Sequence, residues 1–225
     1  FFFALIANFK GAELAQAAGL KNLTYVISVS ESHNKANINR THDQSFEELR
    51  RIRESFPELQ LCIGMATTFG CPFEGIPDLD KVLRFVERIR SCDVDTVYLA
   101  DTIGIADPAQ VRRTVKGIME RFPDTKMQVH IHDTRGMGLV NTLAAIEAGV
   151  DTVQSTLGGL GGCPFAPGAS GNTATEDLVY MLQRMGYDTG IDFDRLLALS
   201  KEQHAEIDGI YSGHQMNIAA KSPCC

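Results

Sequence analysis

None of the six cysteines of this 225-residue sequence sits in a Cys-x-x-Cys pair, and no apolar run approaches the ~20 residues needed to span a bilayer. There is no basic stripe either, since 21 Lys and Arg face 28 Asp and Glu for a net charge of −7. The first absence, in a chain too large to need disulfide staples, argues for a reduced compartment. The second leaves no membrane partner, and the third leaves nothing to neutralise nucleic-acid phosphates. Low-complexity and linker-like stretches are missing as well, so residues 1–225 read as one domain. The opening Phe1-Phe2-Phe3-Ala4-Leu5-Ile6-Ala7 is too short for a signal peptide and has no basic flank. It reads as a buried parallel strand. The closing Lys221-Ser222-Pro223-Cys224-Cys225 is not a Ser-Lys-Leu type address.

What the sequence does contain is alternation. Short apolar runs at 2–7, 23–29, 61–65, 96–100, 127–132 and 153–157 read as strands. Helical patterns follow at 11–18, 45–55, 78–91, 108–121, 138–148 and 176–185, with polar Ser30 to Asp43 as a loop. Such alternation means βα units around a parallel sheet. Gly19 and Gly149 each close a helix just before a strand, as a helix C-cap would. A further helix, from Phe193 to Ile207, lies outside the repeat. Six units fit either an incomplete (β/α)8 TIM barrel with an extra C-terminal helix or an open doubly wound sheet. Polar residues at strand ends all along the chain favour the barrel, where every such end faces one mouth.

The strongest chemical signal is Val129-His130-Ile131-His132-Asp133-Thr134. Residues two apart on a strand share a face, so both imidazoles project together and suit a divalent metal. A pair of hydrogen-bonded core histidines is the alternative. The second signal is the run from Gly158 to Asn172, which is rich in glycine and holds Cys163. It reads as a mobile loop whose thiol can exchange a proton, or as a loop with an unremarkable thiol. Asn172, at the end of this loop, can also be read as a helix N-cap, with Thr173 and Glu176 offering a capping box. Glu31 and Asp101-Thr102 follow strands and read as site residues or as turn chemistry. Asn37, Asn39 and Arg40 form a polar cluster, phosphate-facing or simply solvated. His33, His42, His204 and His214 carry no spacing signal and are expected at the surface.

Together these motifs resemble the 3-hydroxy-3-methylglutaryl-CoA lyases, within the wider family of metal-dependent barrel lyases and condensing enzymes. The resemblance runs through Asn8-Phe9-Lys10-Gly11, Ser30-Glu31-Ser32 and Lys35-Ala36-Asn37-Ile38-Asn39. It continues through Gly70-Cys71-Pro72-Phe73-Glu74-Gly75, Asp101-Thr102-Ile103-Gly104 and the histidine pair. The cysteine loop and the stretch from Ala174 to Leu182 complete it. The pair identifies only the superfamily, whereas the Gly-Gly-Cys-Pro to Gly-Ala-Ser-Gly-Asn loop is similar to the lyase branch.

That resemblance implies cleavage of 3-hydroxy-3-methylglutaryl-CoA to acetyl-CoA and acetoacetate. It implies Mg²⁺ or Mn²⁺ on His130, His132 and Asn172, with Cys163 protonating the departing enolate. Glu31, Asp101 and Glu176 match acidic positions around metal and substrate. It further implies an acyl-CoA substrate, a homodimer, and bacterial cytoplasm or mitochondrial matrix as the setting. The family's Arg-Asp-Gly on the first barrel strand does not occur here, and the chain starts at what resembles the third strand. The expectation is therefore a lyase lacking its N-terminal strands and inactive as written. The alternatives are a related barrel lyase or aldolase acting on another 3-hydroxy-3-alkylglutaryl-CoA or a 2-oxo acid, and a non-catalytic fragment that binds CoA esters.

Overall fold

A computed structural model describes residues 2–166 and 171–218. The alternation seen in the sequence becomes six parallel strands: β1 (Phe3–Ile6), β2 (Asn22–Ser28), β3 (Gln60–Ala66), β4 (Thr96–Asp101), β5 (Met127–Ile131) and β6 (Thr152–Gln154). Their spatial order is their chain order, β1-β2-β3-β4-β5-β6. A doubly wound sheet reverses its order at a switch point, and this one never does. The result is a half-barrel, consistent with part of a (β/α)8 barrel.

The helices are α1 (Phe9–Ala17), α2 (Glu31–Ile38), α3 (His42–Ser55), α4 (Leu79–Arg90), α5 (Pro108–Arg121), α6 (Gly138–Glu147), α7 (Thr175–Arg184) and α8 (Phe193–Glu206). Their starts follow from local chemistry. Thr41 and Gln44 form a capping box on α3, Asp78 caps α4, and Asp107 caps α5 with Pro108 as its first residue. Each buries one apolar stripe against the sheet: Phe46, Leu49 and Ile52 from α3, Val82, Phe85, Val86 and Ile89 from α4, and Val111, Val115 and Ile118 from α5. Facing them are Leu23, Tyr25, Ile27, Leu61, Ile63, Met65, Val97, Leu99 and Val129. At about 1.5–3 kcal/mol per buried large apolar side chain, this layer is the main stabilising term. Residues that alternate with these face the barrel interior, where Gly64 leaves room for the Tyr98 ring.

Three expectations need correction here. The stretch from Ser30 to Asp43 is not all loop, because α2 occupies its first half, capped by Ser30. Asn34 stabilises that turn from inside, accepting from Ser28 N and donating to Arg40 O and Ser45 Oγ. The opening strand is only partly buried. Ile6 is enclosed, but Phe2, Phe3 and Leu5 are exposed at the free edge of β1. Nor are His33 and His42 surface residues. His33 is 1% exposed, with Nδ1 2.8 Å from Ser28 Oγ, and His42 is half-buried with Nε2 2.8 Å from Ser28 O.

Helix α8 is present and packs on α7 and on the short turn Leu157–Gly159. Cys62, Cys71, Cys92 and Cys163 are free thiols. Cys224 and Cys225, with the rest of the C-terminal motif, lie outside the described residues.

Candidate active site

His130 lies on β5 and His132 one residue beyond its end, so strand geometry sends both rings to one face. Their Nε2 atoms stand 3.2 Å apart. Burial holds both imidazoles below the usual histidine range. His132 goes down to about 4, with His130 beside it adding to the effect and the Thr102 backbone opposing it. For His130 the amides of Gln154 and Asn172 face the ring and oppose the burial. The pair thus brings two Nε2 atoms side by side at the end of β5.

The segment after the cysteine loop returns to the end of β5. Thr173 N and Oγ1 both donate to Ile131 O, and Asp133 N donates to Gly171 O. This short antiparallel bridge pairs Asn172 with His132. Asn172 Nδ2 donates to Leu160 O at 3.0 Å, and Asn172 O accepts from Ser212 Oγ at 2.7 Å. The first bond holds its side-chain amide and the second its backbone carbonyl. Yet Asn172 Oδ1 and His132 Nδ1 are buried without hydrogen-bond partners among the described residues. Buried polar atoms left open in this way are costly.

Two imidazole nitrogens and an amide oxygen suit a divalent cation, and a bound ion would relieve the open Asn172 oxygen. Among the described residues no three His, Cys, Asp or Glu side chains converge on one point. The donor set here is therefore uncharged.

The glycines of the loop serve close packing. Gly159 and Gly171 both have positive φ, and a Cβ on Gly171 would press into the carbonyls of Gly159 and Gly161. A Cβ on Gly159 would meet Ser212 and the Asn172 carbonyl. Glycine lets the strands of this loop touch backbone to backbone, which is how Asn172 reaches the histidines. The N-cap reading of Asn172 fails, because Ala174 is the N-cap of α7 and no side chain caps that helix.

The remaining expected site residues each have partners of their own. Cys163 is half-buried in the loop, and its carbonyl accepts from Ala166 N. Asp101 is fully buried and takes Ile105 N and Ala106 N at 3.0 and 3.1 Å. Burial raises its carboxyl above the usual range, while those amides and Arg135 pull the other way. It pairs in register with Ile131, not with His130. Glu176 is fully buried between Gly158 N and Ser200 Oγ. Glu31 is exposed and accepts from His42 N. None of the three carboxylates hydrogen-bonds to the histidine pair among the described residues.

Sequence reasoning missed several participants. Asp177 is buried and accepts from His214 N, His214 Nδ1 and Gln215 N, tying down the segment that carries Ser212. Gln154 sits beside His130, with its Oε1 3.2 Å from Nδ1. Phe165 stacks on His33. Each is far in sequence from its partner, so no local spacing reveals the contact.

Comparison with known proteins places these features in context. The family model described as HMGL-like matches residues 2–202. A hydroxymethylglutaryl-CoA lyase of Bacillus subtilis is 38% identical over 88% of this chain and 67% of its own length. A (R)-citramalyl-CoA lyase of Chloroflexus aurantiacus is 40% identical over 88% of this chain and 63% of its own length. The chain thus spans about two thirds of these curated relatives. The solved structure of an HMG-CoA lyase from Acinetobacter baumannii, in complex with coenzyme A and 3-methylmalate, superposes with a TM-score of 0.88. It is 41% identical and covers 98% of this chain and 75% of its own. Mammalian relatives include hydroxymethylglutaryl-CoA lyases named mitochondrial and cytoplasmic.

Proposed function

Since the chain belongs to the HMGL-like family of lyases, we propose that it carries the catalytic half-barrel of an enzyme cleaving 3-hydroxy-3-methylglutaryl-CoA to acetyl-CoA and acetoacetate. The observation that carries the reading is the convergence of His130, His132 and Asn172 at the strand ends, beside a loop bearing Cys163. These three residues would hold the divalent cation, Mg²⁺ or Mn²⁺. When bound, that ion supplies Lewis acidity, which makes a tertiary hydroxyl easier to deprotonate.

The cleavage breaks the bond between C2 and C3 of the acyl chain. The C3 hydroxyl loses its proton and becomes the ketone of acetoacetate, and the bond's electron pair moves to C2 as the acetyl-CoA enolate. In this reading Cys163 returns a proton to C2, and its thiolate then recovers the proton released from the hydroxyl. Asp101 and Glu176 act as positioning residues. Asp101 holds the backbone at Ile105 and Ala106, and Glu176 holds the Gly158 turn against α8. Glu31 stands at the rim, where it joins α2 to α3.

The reading takes the 225 residues as one barrel domain, with a core cluster that runs from Ile6 to Val150. It includes an acyl-CoA substrate, a homodimer, and the bacterial cytoplasm or mitochondrial matrix as setting. With only uncharged donors facing the ion, the described residues should bind it weakly, and turnover by these residues alone is expected to be very low.

A second reading has its own support. The (R)-citramalyl-CoA lyase is as similar to this chain as the hydroxymethylglutaryl-CoA lyase is. A related hydroxyacyl-CoA is then the substrate, cleaved by the same bond chemistry.

The test is acetyl-CoA release with Mn²⁺ from 3-hydroxy-3-methylglutaryl-CoA and from citramalyl-CoA, on this chain and on one extended by an N-terminal Arg-Asp-Gly strand. Cleavage of the first substrate by the extended chain, lost in its Cys163→Ala form, supports the proposal. Preference for citramalyl-CoA supports the second reading, and no cleavage of either overturns both.

A further inference from the structure

His130 is held on the side away from His132 by two glutamines. Gln128 lies two residues before it on β5, on the same strand face, and Gln154 is its register partner on β6. Gln154 Nε2 donates to Gln128 Oε1 at 2.8 Å. That bond uses the amide's donor end and turns Gln154 Oε1 toward His130 Nδ1, 3.2 Å away. A carbonyl oxygen only accepts, so Nδ1 must carry the hydrogen. A neutral imidazole has one N–H. The Nε2 atom that faces His132 is then a bare lone pair.

We propose that Gln154, oriented by Gln128, is a positioning residue that sets the tautomer of His130 and leaves its Nε2 open for a divalent cation. Histidine ligands usually gain this orientation from a carboxylate or a backbone carbonyl. Here a side-chain amide supplies it, fixing the proton without adding charge. The tautomer is a property of the chain itself, while its bearing on ion binding rests on the lyase reading above.

The deciding experiment is a long-range ¹H–¹⁵N correlation of the histidine rings in the metal-free chain near neutral pH. His130 is expected as the Nδ1–H form in the unsubstituted chain and in Gln154→Glu, which retains an acceptor. In Gln154→Leu the Nε2–H form should appear. Mn²⁺ affinity, read by water-proton relaxation, should fall roughly 10–100-fold in Gln154→Leu and should not fall in Gln154→Glu. An Nε2–H form of His130 in the unsubstituted chain overturns the proposal, and so does a tautomer unmoved by Gln154→Leu. If Gln154→Leu does not fold, the unsubstituted chain and Gln154→Glu still decide. Should the tautomers come out as stated while neither acyl-CoA is cleaved, the lyase reading fails and this one stands.

Discussion

Phe165, from the glycine-rich loop after β6, packs its ring on His33 of α2 with centroids 4.2 Å apart. Phe73, from the loop after β3, closes the other side, 6.0 Å from Phe165 and 6.3 Å from His33. Phe73 and Phe165 each end a Gly-Cys-Pro-Phe sequence, at 70–73 and 162–165. The two turns therefore meet through their aromatic residues.

Removing that contact should free the turn that holds Cys163. A ring contact of this kind is worth about 0.5–1.5 kcal/mol beyond area burial, so Phe165→Ala should raise the population of the open segment roughly tenfold. The Ala166 amide, which donates to Cys163 O at 3.0 Å, is the reporter, and its hydrogen exchange should quicken accordingly. Phe165→Tyr, which keeps the ring, should exchange like the unsubstituted chain. Equal exchange in Phe165→Ala would mean that the contact holds nothing in place.

The same contact should respond to acid. His33 is buried, with Nδ1 on Ser28 and no partner for Nε2 among the described residues, and burial lowers its pKa below the usual value. The unfolded chain, with histidine near ~6.5, therefore binds a proton more readily than the folded one just below that pH. Stability rises with pH through this window, so the contribution of neutral His33 is complete above ~6.5 and is lost as pH falls. Comparing His33→Phe with the unsubstituted chain in urea titrations at several pH values checks this. The difference between the two chains should change between pH 7.5 and pH 5, and a constant difference would refute it.

Asp101→Asn should destabilise the fold while leaving the histidine pair in place. Each carboxylate oxygen takes one backbone N–H of the loop that follows β4, and an amide can accept with only one of its two ends. One buried N–H is then set against an NH₂ group, at a cost of about 1–3 kcal/mol. The melting temperature should drop by roughly 2–4 °C per kcal/mol for a chain of this size. Thermal denaturation followed by circular dichroism checks it.

How far the sequence announces this architecture varies by element. The span of α5 is read correctly from end to end, because Asp107 caps it, Pro108 starts it and the apolar stripe is regular. The middle strands are clear as apolar runs between turn residues, whereas β6 (Thr152–Gln154) holds one apolar residue and ends short of the 153–157 run expected for it. Helix α2 was hidden because its buried residues include His33 and Asn34, which are polar and satisfied by specific partners instead of apolar packing. The histidine pair is visible because period two is a local signal. Asn172 and the Gln154 brace depend on which distant strand lies alongside, and no local pattern encodes that. The loop glycines were visible, but their role was not, because backbone contact between Gly171 and the carbonyls of Gly159 and Gly161 leaves no periodicity.

Glu176 poses the sharpest choice between chemistry and support. Its oxygens accept from Gly158 N and Ser200 Oγ at 3.0 and 2.9 Å, in a site closed to solvent. If its role is to hold the Gly158 turn, Glu176→Gln should be nearly tolerated. The amide oxygen can still accept from Gly158 N, and the Ser200 hydroxyl can rotate to accept from the new NH₂. Glu176→Ala removes both bonds and opens a buried space, so it should cost about 2–4 kcal/mol. A residue that moves protons gives the opposite pattern, because the Gln substitution then abolishes turnover while the melting temperature stays unchanged. Measuring melting temperature and acetyl-CoA release on the two variants of the extended chain separates the roles, and the geometry predicts the first pattern.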